Sequence, residues 1–267
     1  MDINGALALV TGTSGGIGAA TAETLARHGA TVIGVARTAD KVEATAERCR
    51  TWAPASAGIV GDLSTKEGCA AVVERVLADQ ARIDIVVNNA GVSLRKHATR
   101  TSVGEVEQVT DINYLAAVRL TIPLMAGMVE RGAGAIVNIT SVAGYVPNPL
   151  EAAYGGAKAA LSLWSHGLAV DLAGTGVHVG VVNPGPIDTG MWATDEEAPA
   201  YHGKLYPPQI VADAVVKAIT KEKVMLTVPR QFGLPGMMYP VMGRPMRWGL
   251  RTFEKRGEAK GDPREQR

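Results

Sequence analysis

"TGTSGGIG", residues 11–18, places four glycines in eight residues directly after the apolar run "ALALV" at 6–10. Glycine adopts backbone angles that other residues avoid, and it lets the main chain approach a ligand closely. Where such a turn joins a strand to a helix, the first N–H groups of the helix are free to bind an anion, typically a pyrophosphate. A tight turn without a ligand is the alternative, and this stretch alone does not decide between them.

The order of apolar runs along the chain predicts the fold. The strand candidates are rich in Val and Ile and apolar on successive residues, which is typical of strands buried on both faces of a parallel sheet. They cover residues 6–10, 31–36, 57–60, 83–88, 134–140, 177–183 and 224–228, with amphipathic helical stretches between them. Repeated β-α-β units predict an α/β fold with one domain, a doubly wound (Rossmann) seven-stranded parallel sheet with helices on both faces.

Composition narrows the class of protein. The chain has 267 residues, 46% of them hydrophobic, and a net charge of +1, which gives no reason to expect a nucleic-acid surface. Its two cysteines, Cys49 and Cys69, lack Cys-x-x-Cys spacing, so no metal or redox site is predicted. Neither a secretory signal nor an apolar run long enough to span a bilayer is apparent, and a soluble cytoplasmic protein is predicted.

Polar residues follow several of the predicted strands. Dinucleotide-binding folds often carry an acid at the end of the second strand, but Ala36 stands there and Arg37 follows it. Because arginine pairs well with a phosphate, Arg37 favours NADP(H) over NAD(H), with a solvated arginine as the alternative. Asp62 after the third strand is a candidate for binding the adenine amine or for capping the next helix. "NNAG" at 88–91 indicates backbone close to a ligand, or a polar turn.

Three further residues carry the predicted chemistry. Tyr154 and Lys158 are four residues apart, so they share one helix face. A free tyrosine has a pKa of about 10, and a nearby ammonium is expected to lower it, so that the phenol exchanges a proton with a substrate oxygen. Ser141, just after the fifth strand, is placed to donate a hydrogen bond to the same oxygen.

These stretches together resemble the short-chain dehydrogenase/reductase family over residues 5 to 228. The motifs match in order: "TGTSGGIG", "NNAG", "DIN", "NITS", "YGGAK" and "NPGPIDT". The resemblance implies that Asn113, Ser141, Tyr154 and Lys158 form the catalytic set, with Tyr154 as acid/base. It also implies that Lys158 binds the nicotinamide ribose and that Asn113 helps to hold a water linking Lys158 to solvent. The family's usual Tyr-x-Ala-Ser-Lys is here "YGGAK", which leaves the two reactive residues in place.

The resemblance further implies the cofactor site. Ile187, through its backbone, and Thr189, through its hydroxyl, are expected to bind the nicotinamide carboxamide. The full set of expected cofactor contacts is Gly12, Ser14, Gly15, Gly16, Ile17, Gly18, Arg37, Asp62, Leu63, Asn89, Ala90, Gly91, Tyr154, Lys158, Pro184, Gly185, Ile187 and Thr189. Helices at about 102–131 and 151–173 are expected to pair in a homodimer or homotetramer.

The remaining segments bear on the substrate. Residues 1–228 form the predicted domain, with a substrate lid at about 188–208 in which Trp192, Tyr201 and Tyr206 are candidate contacts. The extension, 229–267, holds four of the nine methionines and ends in a polar stretch predicted to be disordered. It is interpreted as a pocket roof, as a subunit contact or as a membrane-surface segment, in that order. A roof favours a bulky apolar substrate, steroid-like or long-chain.

The sequence therefore predicts an NADP(H)-dependent enzyme that interconverts a carbonyl and an alcohol. A non-catalytic NADP(H)-binding sensor is the alternative. A sensor does not need the Tyr154 and Lys158 pair, so the presence of this pair favours the enzyme.

Overall fold

Seven parallel strands form one sheet with the order β3-β2-β1-β4-β5-β6-β7. The computed structural model describes residues 1–79, 82–190 and 203–233. The strands are β1 (Leu7–Thr11), β2 (Thr31–Ala36), β3 (Ala57–Val60), β4 (Ile85–Asn88), β5 (Gly134–Ile139), β6 (Val177–Pro184) and β7 (Met225–Val228). The helices are α1 (Gly16–Arg27), α2 (Ala39–Arg50), α3 (Lys66–Asp79), α4 (Val103–Thr110), α5 (Ala116–Arg131), α6 (Ala152–Asp171) and α7 (Gln209–Thr220).

The predicted fold class is confirmed. Each predicted strand is present, with ends within two residues of those expected. Successive strand residues enter opposite faces of the sheet, as the two-residue period requires: Ala8 and Val10 join one hydrophobic core, while Leu7 and Leu9 join the other. Helices α1 and α7 cover the first face, and α3, α5 and α6 cover the second.

The predicted helix at 102–131 contains a break. A π-helical turn, Asp111–Leu115, separates α4 from α5, and such single turns often occur at functional sites. Against expectation, the helical stretch Val103–Arg131, 29 residues including the π-helical turn, is long and apolar enough by length and composition to cross a membrane, since an 18-residue window in it has a mean hydropathy of 1.4. Part of its apolar surface packs against the sheet: Leu120, Leu124 and Met128 are buried in the second core.

A buried polar network lies beneath the carboxyl end of the sheet. The Asn88 amide donates to Thr121 Oγ1 on α5 at 2.8 Å and to Asn138 Oδ1 on β5 at 2.7 Å. Asn138 in turn donates to Ser165 Oγ on α6 at 2.8 Å. Buried amides cost free energy unless they are paired. The network therefore fixes α5 and α6 against β4 and β5 at one register.

Asn138→Ala should lower the free energy of unfolding by about 2–4 kcal/mol, because it leaves Asn88 and Ser165 with unpaired buried groups. Urea unfolding followed by circular dichroism measures the change. Asn4→Ala, at an exposed position near the N-terminus, is the matched control and should change stability little. Equal stabilities for the two variants would contradict this account of the network.

Candidate active site

The glycine turn presents an open helix terminus at the carboxyl edge of the sheet. Helix α1 begins at Gly16, its N-cap is Gly15, and no acidic residue lies in its first turn. Ser14 and Gly15 are exposed, and no atom of the described residues lies within 4 Å of the position that a Cβ of Gly15 would take. Gly18 packs so closely on the turn that a Cβ there would collide with the Gly12 carbonyl. The positive end of the helix is thereby left accessible to an anion.

Thr11 joins the glycine turn to the "NNAG" turn. Its hydroxyl accepts from the backbone N–H groups of Asn89 and Ala90, both at 2.9 Å. The Asn89 amide also donates to the Thr11 carbonyl at 2.9 Å. These bonds hold the two turns together where β1 and β4 end side by side. Thr11 was not among the predicted site residues, although its place at the end of a strand before the glycines was a usable signal.

Arg37 and Asp62 lie near each other at the far side of the glycine turn. Both are exposed, while Leu63 is buried at 3% exposure. Hydrogen bonds from the Ser64 backbone and hydroxyl lower the pKa of Asp62, and the charge of Arg37 lowers it further. A carboxylate and a guanidinium at the ends of β3 and β2 form a polar corner suited to an adenosine and its phosphate.

Tyr154 stands in the first turn of α6, within hydrogen-bonding reach of Ser141. Ser141 Oγ also accepts from the Ala143 N–H at 3.1 Å, which fixes the serine at the start of a short 3-10 turn. Burial raises the pKa of Tyr154 to about 12; the Ser141 hydrogen bond opposes the rise and the charge of Glu151 adds to it. The expectation that Lys158 lowers this pKa is not met in the protein alone, because Lys158 is not among the groups that shift the pKa and desolvation of the phenolate is the largest cause.

Lys158 lies one helical turn beyond Tyr154 and is 4% exposed. Its Nζ is 6.0 Å from the centroid of the Tyr154 ring and donates to the Ile139 carbonyl at 2.9 Å. Burial lowers the pKa of Lys158 to about 8. The amine thus remains mainly protonated near neutral pH while its neighbour remains a phenol.

Asn113 reaches the same point from the π-helical turn. Its amide donates to the carbonyls of Val92 and Val109, both at 3.0 Å, and its buried Oδ1 has no partner among the described residues. A Cβ on Gly91 would lie 2.5 Å from that oxygen and 3.5 Å from Lys158 Nζ. Gly91, Asn113 and Lys158 therefore converge, and the unpaired oxygen suits a water between them.

The segment after β6 closes the site. Pro184 and Ile187 are buried, and Gly185 and Thr189 are half-buried. Thr189 Cγ2 lies 3.0 Å from the position that a Cβ of Gly16 would occupy. The structure therefore brings this loop, residues 183–189, against the glycine turn. The loop follows β6, which pairs with β5, the strand that Ser141 follows.

Two parts of the site were missed by sequence reasoning. Arg95, in the loop after β4, lies 3.7 Å from Glu151, and both side chains are 12% exposed. Glu151 is the N-cap of α6, so this ion pair sits beside Tyr154. Phe232, after β7, packs against Gly185. Neither belongs to a short motif, and only the folded chain brings them to the site.

The residues present fit a nicotinamide dinucleotide. The open helix terminus offers N–H groups to a pyrophosphate, and the polar corner at Arg37 and Asp62 suits a phosphorylated adenosine. The Asn113 oxygen, which has no partner among the described residues, and Lys158 Nζ both lie near Gly91 and offer polar groups to a ligand. The candidate lid contacts Trp192 and Tyr201, and the extension beyond residue 233, lie outside the described residues.

Comparisons with known proteins point the same way. The family model for short chain dehydrogenase matches residues 6–200. The chain is 34% identical to the 3-oxoacyl-[acyl-carrier-protein] reductase FabG of Escherichia coli, covering 85% of this chain and 95% of that protein. It is also 34% identical to the ketoacyl reductase HetN of Nostoc, covering 85% and 79%. A short-chain dehydrogenase from Sphingobium yanoikuyae, solved with NADPH, superposes with a TM-score of 0.78 at 30% identity, covering 89% and 95%.

The depressed pKa of Lys158 makes a prediction about stability. Its pKa falls from 10.5 to about 8 on folding, so the unfolded chain holds this proton more tightly. The free energy of unfolding should therefore rise with pH between about 8 and 10, by on the order of 2 kcal/mol from this group. Lys158→Met should remove that rise in urea titrations at successive pH values. Lys217→Met, at an exposed position, should keep it; identical slopes in all three proteins would contradict the burial effect.

Proposed function

The chain belongs to the short-chain dehydrogenase family, and from this premise we propose that it is an NADP(H)-dependent oxidoreductase interconverting a carbonyl and a primary or secondary alcohol. One observation carries the proposal most directly. Tyr154 is hydrogen-bonded to Ser141, with Lys158 one turn along the same helix. This group follows β5, which pairs with β6, the strand that leads into the 183–189 loop; that proximity supports the proposal.

The residues divide the chemistry as follows. When bound, the nicotinamide donates a hydride to the carbonyl carbon or accepts one from the alcohol. Ser141 donates a hydrogen bond to the substrate oxygen, and Tyr154 donates its proton to that oxygen as the hydride arrives. A phenol with its pKa at about 12 is protonated at neutral pH, which suits the reducing direction. Tyr154 then regains a proton from solvent by way of Lys158 and a water that Asn113 helps to hold.

The preference for NADP(H) rests on Arg37. No acid stands at Ala36, where it would bind the unphosphorylated ribose, and Arg37 is exposed beside Asp62. A guanidinium there pairs with a 2′-phosphate. A relative solved with NADPH supports this choice of cofactor.

For the substrate, we favour a bulky apolar ketone or alcohol. The aromatic rings of Tyr206 and Phe232 contact each other in a T-shaped geometry beside the 183–189 loop, and they provide apolar surface near the nicotinamide end. The relatives FabG and HetN are a 3-oxoacyl-[acyl-carrier-protein] reductase and a ketoacyl reductase, and both names describe a ketone on an acyl group.

We further propose a homodimer or homotetramer in the cytoplasm. Exposed apolar side chains lie along α4, α5 and α6, which are the helices expected to pair. The most exposed of them are Leu163 at 76%, Val103 at 75%, Val170 at 75% and Ile122 at 51%. Apolar positions this exposed on adjacent helices are suited to cover by a second copy.

Tyr154→Phe should reduce turnover of any active substrate by about 10²–10⁴-fold, because the substrate oxygen loses its proton donor. NADPH binding, followed by nicotinamide fluorescence, should be retained. Tyr114→Phe, which keeps the ring that contacts Trp164, is the control and should be active. A Tyr154→Phe protein as active as its parent would remove Tyr154 from the mechanism and favour a non-catalytic NADP(H)-binding sensor.

Arg37→Ala should weaken NADPH binding by about 10–100-fold, the value of a charge-assisted phosphate pair. NADH binding should change little, because NADH has no 2′-phosphate. Titration of each cofactor measures both constants, with Arg75→Ala on the outer face of α3 as the control. Parallel losses for the two cofactors would show that Arg37 does not read the phosphate.

A further inference from the structure

Residues 227–233, at the end of β7 and just beyond it, contact three separate parts of the candidate site. The Gly185 N–H donates to the Val228 carbonyl at 2.8 Å. Gln231 Nε2 donates to Tyr206 Oη at 2.8 Å, and the Tyr145 and Thr227 hydroxyls are hydrogen-bonded at 3.0 Å. Tyr145 ends the short turn that Ser141 begins. This segment therefore contacts both the 183–189 loop and the turn that carries Ser141.

The 183–189 loop depends on such outside contacts. Pro184 and Pro186 have no N–H to donate, so the loop has few backbone donors of its own. The Tyr206 N–H donates to the Pro186 carbonyl at 3.0 Å, and the Asp188 N–H donates to the Tyr206 carbonyl at 2.7 Å. Tyr206 thus holds the far side of the loop, and Gln231 holds Tyr206.

Phe232 connects these contacts. Its ring lies against the backbone of Gly185, where a Cβ would come within 2.9 Å of Phe232 Cδ2. The same ring meets Tyr206 edge to face, with centroids 6.3 Å apart and planes at 84°. One half-buried side chain therefore limits the movement of both Gly185 and Tyr206.

We infer that Phe232 is a positioning residue for the nicotinamide end of the cofactor, because it holds the 183–189 loop at the spacing set by Gly185 and Tyr206. The inference rests on the proposed cofactor site. The adenosine end is bound at Arg37 and Asp62, on other strands. Loss of Phe232 therefore affects one end of the cofactor and spares the other.

Phe232→Ala should weaken NADPH binding about three- to tenfold, the loss expected for one aromatic contact. It should leave the affinity for adenosine 2′,5′-bisphosphate, which lacks the nicotinamide, unchanged. Both constants are measured by calorimetry. Phe232→Tyr, which keeps the ring, should restore NADPH binding. Met225→Ala, at an exposed position on the same β7 strand, is the matched control and should bind both ligands as the parent does.

A second experiment tests the contact between Phe232 and Gly185. Gly185→Ala forces a methyl group toward the Phe232 ring, so it should weaken NADPH binding in the parent. In the Phe232→Ala background the ring is gone, and the same change should have little further effect.

The outcomes separate cleanly. Unchanged NADPH binding in Phe232→Ala, or an equal loss for both ligands, would overturn the positioning role; the equal loss would indicate general disruption. A parent protein that binds neither ligand would instead overturn the proposed cofactor site, whatever Phe232 does.

Discussion

Burial of Tyr154 and Lys158, partial for the tyrosine and nearly complete for the lysine, is the constraint on which the site depends. Removing water disfavours the charged form of each group, so it moves the two pKa values in opposite directions, to about 12 and about 8. At neutral pH the phenol therefore keeps its proton and can donate it, while the amine remains mainly charged although it is buried. Lys158 donates to the Ile139 carbonyl, and Tyr154 is hydrogen-bonded to Ser141. The Asn113 oxygen lies near Lys158 and has no partner among the described residues.

Burial of this pair requires that α6 and the surrounding turns keep fixed positions, and buried hydrogen bonds between polar side chains hold them there in a rigid frame. Asn88, Asn138 and Ser165 tie α6 to the sheet, so the helix that carries Tyr154 and Lys158 has one register. Thr11 does the same at the switch point between β1 and β4, where it fixes the "NNAG" turn to the glycine turn. In an open parallel sheet the cleft forms where neighbouring strands lead their chains to opposite faces. The frame and the cleft thus share residues.

Much of the fold was readable from the sequence. Thr31–Ala36 was predicted to the residue, because strands buried on both faces of a parallel sheet are apolar at successive positions. The edge strand Ala57–Val60 was also predicted to the residue, although its side chains are only partly buried. The glycine turn and the Tyr154–Lys158 spacing were equally readable, since each is a local pattern. The π-helical turn at Asp111–Leu115 was not. Its residue types are compatible with an ordinary α-helix, so no local pattern marks the turn.

The sequence by itself determined which residue types stand at each strand end, because local spacing and strand period are written in the chain. Only the tertiary structure decided their surroundings. Burial rather than the Lys158 charge sets the pKa of Tyr154, and Phe232 meets Gly185 from a segment more than forty residues away. Desolvation and long-range contact depend on the whole packed chain, so no short stretch of sequence encodes them.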